Sequence, residues 1–186
     1  MEKRALRRQL FARVRALPPE ARAQRSAAIR ASLLADPAFR AVGTVFAYLS
    51  LPGEPDLSPL LGALAGQRWA FARVGGDDRL VFHQLDRPDE AAVGPHGIRE
   101  PDPTLHPALD HGAAEIILVP GVGFDPATRA RLGRGRGHYD RFLAAYQAGP
   151  RRPQLVGISF SEQLAPVPVE AHDIPMDRLL TDRGWA

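Results

Sequence analysis

The sequence predicts an α/β fold: a single domain built on an open, mainly parallel sheet with helices on both faces. Three observations predict it. Apolar segments that read as strands alternate with segments that read as helices, the signature of a sheet crossed by helical connections. The strongest strands, residues 44–49 (TVFAYL), 115–119 (EIILV) and 154–160 (QLVGISF), are apolar at successive positions, as strands buried on both faces must be. The chain of 186 residues, 45% of them hydrophobic, can bury one substantial core and is too short for two, so residues 1–186 are taken as one domain.

The elements follow in order. Leu6, Leu10, Val14 and Leu17 recur at spacings of four, four and three, which marks an amphipathic helix that Pro18-Pro19 must end. A second helix starts at Pro19 and runs through Ile29, Leu33 and Leu34 until Asp36-Pro37 stops it. The strand at 44–49 leaves through turn chemistry at 50–56 (SLPGEPD), and Ser58-Pro59 reads as the cap and first turn of a helix through Leu64. Residues 69–74 and 80–85 are strands flanking a Gly75-Gly76-Asp77-Asp78 turn. Residues 86–112, dense in Pro, Gly and His, read as an extended surface crossing. After the strand at 115–119 come a long polar, glycine-rich loop and a helix at 139–147; after the strand at 154–160 the tail reads as irregular. In such sheets the ligand site lies beyond the carboxyl ends of the strands, and the loops at 50–56, 120–138 and 161–173 are placed to form it.

Composition narrows the chemistry. Without cysteine there are no disulfides, thiolate zinc sites or cysteine nucleophiles. No apolar run approaches the roughly 20 residues that span a bilayer, and the first residues lack a secretory signal's apolar stretch, so a soluble, cytoplasmic protein is expected. The basic, amphipathic opening also admits a mitochondrial targeting peptide, against which stands its single serine, Ser26. Residues 1–30 hold nine Lys/Arg against two acids, and residues 129–141 hold five Arg against Asp140. The rest of the chain is net acidic, although the total is +3. Two basic islands in an acidic chain point to one polyanion gripped from two sides; two solvated charged faces are the alternative.

The stretch Arg131-Leu132-Gly133-Arg134-Gly135-Arg136-Gly137-His138-Tyr139-Asp140 is the most informative. Glycines at 133, 135 and 137 let the backbone approach an anion, and the interposed arginines supply fixed positive charge. No GK[ST] follows, so it is not a Walker A loop, and its GxGxG spacing is not the dinucleotide fingerprint. An RGG-like RNA-binding segment remains an alternative. At about 100° per residue, Lys3 and Arg7 fall inside the arc set by Leu6, Leu10, Phe11 and Val14. Inward cations need an anion, and a triphosphate would serve; snorkelling or pairing with core carboxylates is the other reading. Lys3 is also the only lysine among 24 basic residues. Glu54 and Asp56 stand on the exit of the first strand, and Asp140 and Asp173 could offer oxygens to Mg²⁺ or serve as caps and ion-pair partners. His106, Asp110 and His111 have no metal spacing, and no GxSxG supports serine catalysis.

Taken together these segments resemble the 5-formyltetrahydrofolate cyclo-ligases, also called methenyltetrahydrofolate synthetases, from end to end. The matching pieces are Lys3-x-x-Leu6-Arg7, Gly53-Glu54-Pro55-Asp56, Gly97-Ile98-Arg99-Glu100-Pro101 and Val119-Pro120-Gly121-Val122-Gly123-Phe124-Asp125. They continue with Arg131-Leu132-Gly133-Arg134-Gly135, Tyr139-Asp140 and Glu170-x-His172-Asp173. The resemblance implies a fold like that of sugar-phosphate isomerases and CoA transferases, and an ATP-dependent ring closure of 5-formyltetrahydrofolate to 5,10-methenyltetrahydrofolate. It implies ATP held by Lys3, Arg4, Arg7, Arg131, Gly133, Arg134, Gly135, Arg136, Gly137, His138 and Tyr139, folate on Glu54, and Mg²⁺ at Asp140 and Asp173. Arg134, Arg136 and Tyr139 are the catalytic candidates, in a monomer that binds neither nucleic acid nor membrane. Two positions depart from the pattern. Arg136 stands where a lysine is frequent, which keeps the charge and changes its geometry, and His138 stands where a tyrosine is frequent. Residues 69–74 lack the proline expected in the folate-side loop, so no folate contact is assigned there. An isomerase-like enzyme that uses no ATP is a further alternative, disfavoured by the inward Lys3 and Arg7.

Overall fold

Proline and the capping residues around it set the first third of the chain. In a computed structural model, which describes residues 2–64, 66–94, 98–146, 152–170 and 173–186, helix α1 (Lys3–Arg15) buries Leu6, Leu10 and Val14. Helix α2 (Pro19–Ala35) has proline at its first position, where the missing amide is no loss. The Asp36-Pro37 pair ends α2 as expected and also opens an unpredicted short helix, α3 (Pro37–Ala41). Asp36 Oδ1 accepts the Ala38 amide at 2.9 Å, so the residues that break one helix cap the next. Gly97, Gln147 and His172, named above, lie outside the described residues.

The strands are β1 (Thr44–Ala47), β2 (Arg68–Val74), β3 (Leu80–Gln84), β4 (Ala92–Val93), β5 (Arg99–Glu100), β6 (Ile116–Pro120), β7 (Gly123–Phe124), β8 (Arg131–Leu132), β9 (Gln154–Ile158), β10 (Arg178–Thr181) and β11 (Gly184–Trp185). Seven form one sheet in the order β11-β10-β9-β6-β1-β2-β3. The five central strands run parallel, while β3 and β11 join the edges antiparallel. Alternate residues divide between the faces. Val45, Ala47, Ile116, Leu118, Val156 and Ile158 pack with Ile29 and Leu33 of α2. Phe46, Ile117, Val119 and Leu155 pack with Leu143 of α4 (His138–Ala144) and with Phe124. Helices therefore cover both faces, which explains the uninterrupted apolar strands. Leu6 and Leu10 form a third cluster with Val122, Ala130 and Leu132, which seats α1 on the β7–β8 hairpin.

Five expectations need correction. The helix through Leu64 is only a 3-10 turn at Ser58–Leu60, and Gly62, at φ +84°, marks where the backbone leaves it. The tail is not irregular: Leu179 and Leu180 are buried in β10, which adds to β9 in parallel. Four residues after a proline-rich stretch are too short a run to announce a strand without that partner. The crossing holds the small β4–β5 hairpin, and the loop after β6 holds β7 and β8. Phe11 is 38% exposed and does not join the core.

Candidate active site

Beyond the carboxyl ends of β1 and β6 the sheet reverses direction: from β1 the chain passes to β2 on one side and returns to β6 on the other. Crevices at such a switch point are where ligands settle in open α/β sheets. The loop leaving β1 carries Glu54, and the loop leaving β6 carries the arginine–glycine turn. They meet there. Arg134 donates from its terminal nitrogen and from Nε to Glu54 Oε1, at 2.9 and 3.2 Å. Oε2 of the same carboxylate accepts the Leu51 amide at 3.0 Å, so the side chain of Glu54, 8% exposed, is fixed from two sides.

Helix α1 closes the third side. Arg7 Nε donates to the Gly133 carbonyl at 2.8 Å, and the Phe11 ring lies 5.5 Å from the Arg134 guanidinium, which is why that ring stays at the surface. Gly135 and Gly137 have φ of +102° and +68°, a backbone path that a side chain would strain, and a Cβ on Gly135 would stand 3.7 Å from the Arg7 guanidinium. Lys3 binds Asp173 at 2.9 Å and Glu170 at 3.2 Å, which ties α1 to the loop after β9. Burial alone would lower the Lys3 pKa, but the Asp173 and Glu170 carboxylates outweigh it and hold the ammonium above its ordinary value. Gln163 Nε2 reaches the Gly121 and Val122 carbonyls at 2.9 and 3.1 Å, joining that loop to the one after β6. The three loops singled out in the sequence thus share one end of the sheet.

The remaining named residues divide by what they touch. Arg131 is buried and gives its guanidinium to Asp140 Oδ1 at 2.6 Å, with the Tyr139 ring 5.4 Å away. The Tyr139 ring is half-buried, but its hydroxyl is enclosed and has no hydrogen-bond partner among the described residues. Its burial, and then the Glu54 charge, push the phenol well above its ordinary pKa, so it stays protonated. Buried Tyr48, which donates to the Pro55 carbonyl at 2.9 Å, is raised for the same two reasons. His138 and Arg141 both grip Asp78 in the β2–β3 turn, at 2.7 and 2.9 Å. Arg136 and Arg4 are exposed and have no side-chain partner among the described residues. The Asp78 clamp and the Phe11 platform had no signal in the sequence, because both depend on partners distant along the chain.

An ATP-sized polyanion suits this donor set: the turn's backbone is open, and Arg7, Arg134 and Arg136 border it. Magnesium is a narrower fit. Asp140 already serves Arg131, Asp173 serves Lys3, and no group of three or more metal-ligating side chains gathers among the described residues. A Mg²⁺ held mainly by phosphate oxygens needs only one or two carboxylates and remains compatible with them.

Known proteins carry the same framework. The chain is 37% identical over 112 residues to the 5-formyltetrahydrofolate cyclo-ligase of Saccharomyces cerevisiae, an alignment spanning 56% of this chain and 52% of the yeast protein. To that of Escherichia coli (strain K12) it is 30% identical over 174 residues, covering 91% of this chain and 94% of the relative. The NMR structure of Aquifex aeolicus 5,10-methenyltetrahydrofolate synthetase superposes with a TM-score of 0.83 at 31% identity, covering 100% of this chain and 92% of that one. Residues 1–182 match the family as a whole, the loops at the switch point as well as the strands beneath them, so the chain belongs to the 5-formyltetrahydrofolate cyclo-ligase family.

Proposed function

We infer that this chain closes 5-formyltetrahydrofolate to 5,10-methenyltetrahydrofolate, with ATP turned over to ADP and phosphate. The contact of Arg134 with Glu54, beside the glycine turn that Arg7 braces, carries the reading. It sets a phosphate-binding backbone against a fixed carboxylate, the two requirements of a reaction between a nucleotide and a basic heterocycle.

A formyl oxygen on nitrogen is a poor leaving group. The γ-phosphoryl group passes to it, the bond to ADP breaks, and the oxygen becomes a phosphate ester. The neighbouring secondary amine then attacks the formyl carbon; the carbon–oxygen bond breaks, phosphate departs and the amine loses its proton. Arg134 and Arg136 stabilise charge on the transferring group, and Lys3, Arg4, Arg7, Arg131, His138 and the glycines at 133, 135 and 137 are the rest of the ATP set. Within that set the geometry favours Arg7 and the turn for direct contact and Arg131 for support, since its guanidinium is committed to Asp140. Tyr139, protonated and with a hydroxyl that has no partner among the described residues, suits a donor to the formyl or phosphorylated oxygen. Glu54 orients the folate. When bound, Mg²⁺ would neutralise phosphate charge, with Asp140 and Asp173 as its carboxylates.

Against the RNA-binding alternative stands the position of the arginine–glycine turn, held between β8 and α4 inside the fold where an RGG-like segment would be a tail. Among the described residues no helix is long and apolar enough to cross a membrane. We place the enzyme in the cytoplasm as a monomer without nucleic-acid partners. Mixing the protein with Mg-ATP and 5-formyltetrahydrofolate should yield the methenyl chromophore with matching ADP; properly folded protein that produces neither would overturn the assignment.

A further inference from the structure

Beside Glu54 a groove of about 420 Å³ runs between α2 and the loop leaving β1. Arg22, Ser26 and Arg30 line it from α2 at four-residue spacing and so form one stripe; Leu51, Pro52 and Glu54 line the other side. Two members of the stripe bolt the loop down. Ser26 Oγ accepts the Asp56 amide at 3.1 Å, and Arg30 donates to the Asp56 carbonyl at 2.8 Å. Arg22 is half-buried like Arg30, yet has no hydrogen-bond or ion-pair partner among the described residues. A partly desolvated guanidinium without a partner is a ready site for a carboxylate, which its planar fork meets with two parallel hydrogen bonds.

We propose that Arg22 is a specificity residue that pairs with a carboxylate of the substrate's glutamate tail. The inference rests on the reaction assigned above and extends it. With the heterocycle against Glu54, the aromatic amide arm of the substrate would lie along Leu51 and Pro52, and the tail would reach the stripe on α2. Charge, apolar wall and carboxylate anchor then follow the order of the ligand's own parts.

Calorimetric titration of the full chain with 5-formyltetrahydrofolate, in the absence of ATP, tests this without requiring turnover. Arg22→Gln should weaken binding about tenfold or more, the scale of one charge-assisted pair, and Arg22→Lys should recover part of the loss. The tail diamide, whose two carboxylates are neutral, should bind the parent protein and Arg22→Gln alike. Equal affinity of parent and Arg22→Gln for the folate would overturn the proposal, as would an equal loss with the diamide. Weakened ATP binding with unchanged folate binding would assign Arg22 to the nucleotide and also overturn it. Tail-dependent binding by a protein that forms no methenyl product would sink the reaction and leave the tail site standing. The Arg22 side chain makes no hydrogen bond or ion pair among the described residues, so an unchanged Tm is expected in both variants and serves as the folding control.

Discussion

In the proposed reaction Arg134 stabilises a developing phosphoryl charge from a side chain that is 43% exposed, and what holds it in place is the buried carboxylate of Glu54. Arg134→Ala should therefore lose about 100-fold or more in turnover, the scale for removing one preorganised charge donor, measured as the rate of methenyl formation. Tyr139 makes the opposite demand on the fold. Its enclosed hydroxyl has no partner among the described residues, and an unsatisfied buried polar group costs about 1–3 kcal/mol. Tyr139→Phe should leave Tm unchanged or raise it while lowering kcat, a divergence that thermal melts and initial rates on the same preparation would reveal. A fall in Tm with unaltered kcat would make the hydroxyl structural. The glycine pattern and the inward Lys3 and Arg7 were legible at this scale because conformational freedom and helical phase are local properties. The partners of Lys3 and Arg134 were not, as carboxylates 170 and 80 residues away cannot be read from spacing.

At the scale of elements, the β7–β8 hairpin carries the arginine–glycine turn, and its position depends on Asp125. Oδ1 accepts the Ala127 amide at 2.9 Å and Oδ2 the Val167 amide at 3.2 Å, joining the hairpin to the loop after β9. Burial alone would raise the Asp125 pKa, but these amides outweigh it and hold the carboxyl below its ordinary value. A depressed folded pKa adds stability above the unfolded value of about 3.9 and loses it as pH falls through the folded one. Asp125→Asn sets an amide nitrogen against a backbone donor, so it should cost about 1–3 kcal/mol at neutral pH. It should also flatten the decline of Tm below about pH 4, as followed by circular dichroism across an acid series. Helices α1 and α2 and the main strands were legible because their apolar periods are long. β7, β8, β10 and β11 were not, because runs of two to four residues have no period and exist only through pairing.

For the whole molecule, the two faces of one sheet hold the large apolar clusters, and both clusters include residues of β1, β2, β6 and β9. Because the clusters share these strands, we propose that residues 1–186 unfold as one unit. Unfolding should follow one transition, coincident by calorimetry and by fluorescence of Trp69, buried in β2, and Trp185, in edge strand β11. Two separated transitions would divide the chain into independent units. Fold class, the start of α2 and the central strands follow from composition, capping and period, which act between residues a few positions apart. Which loops share the crevice, which cations keep protein carboxylates, and the groove in which Arg22 has no partner among the described residues depend on sheet order. Strand order brings Arg7 to Gly133 across 126 residues, and no local preference encodes a distance of that kind.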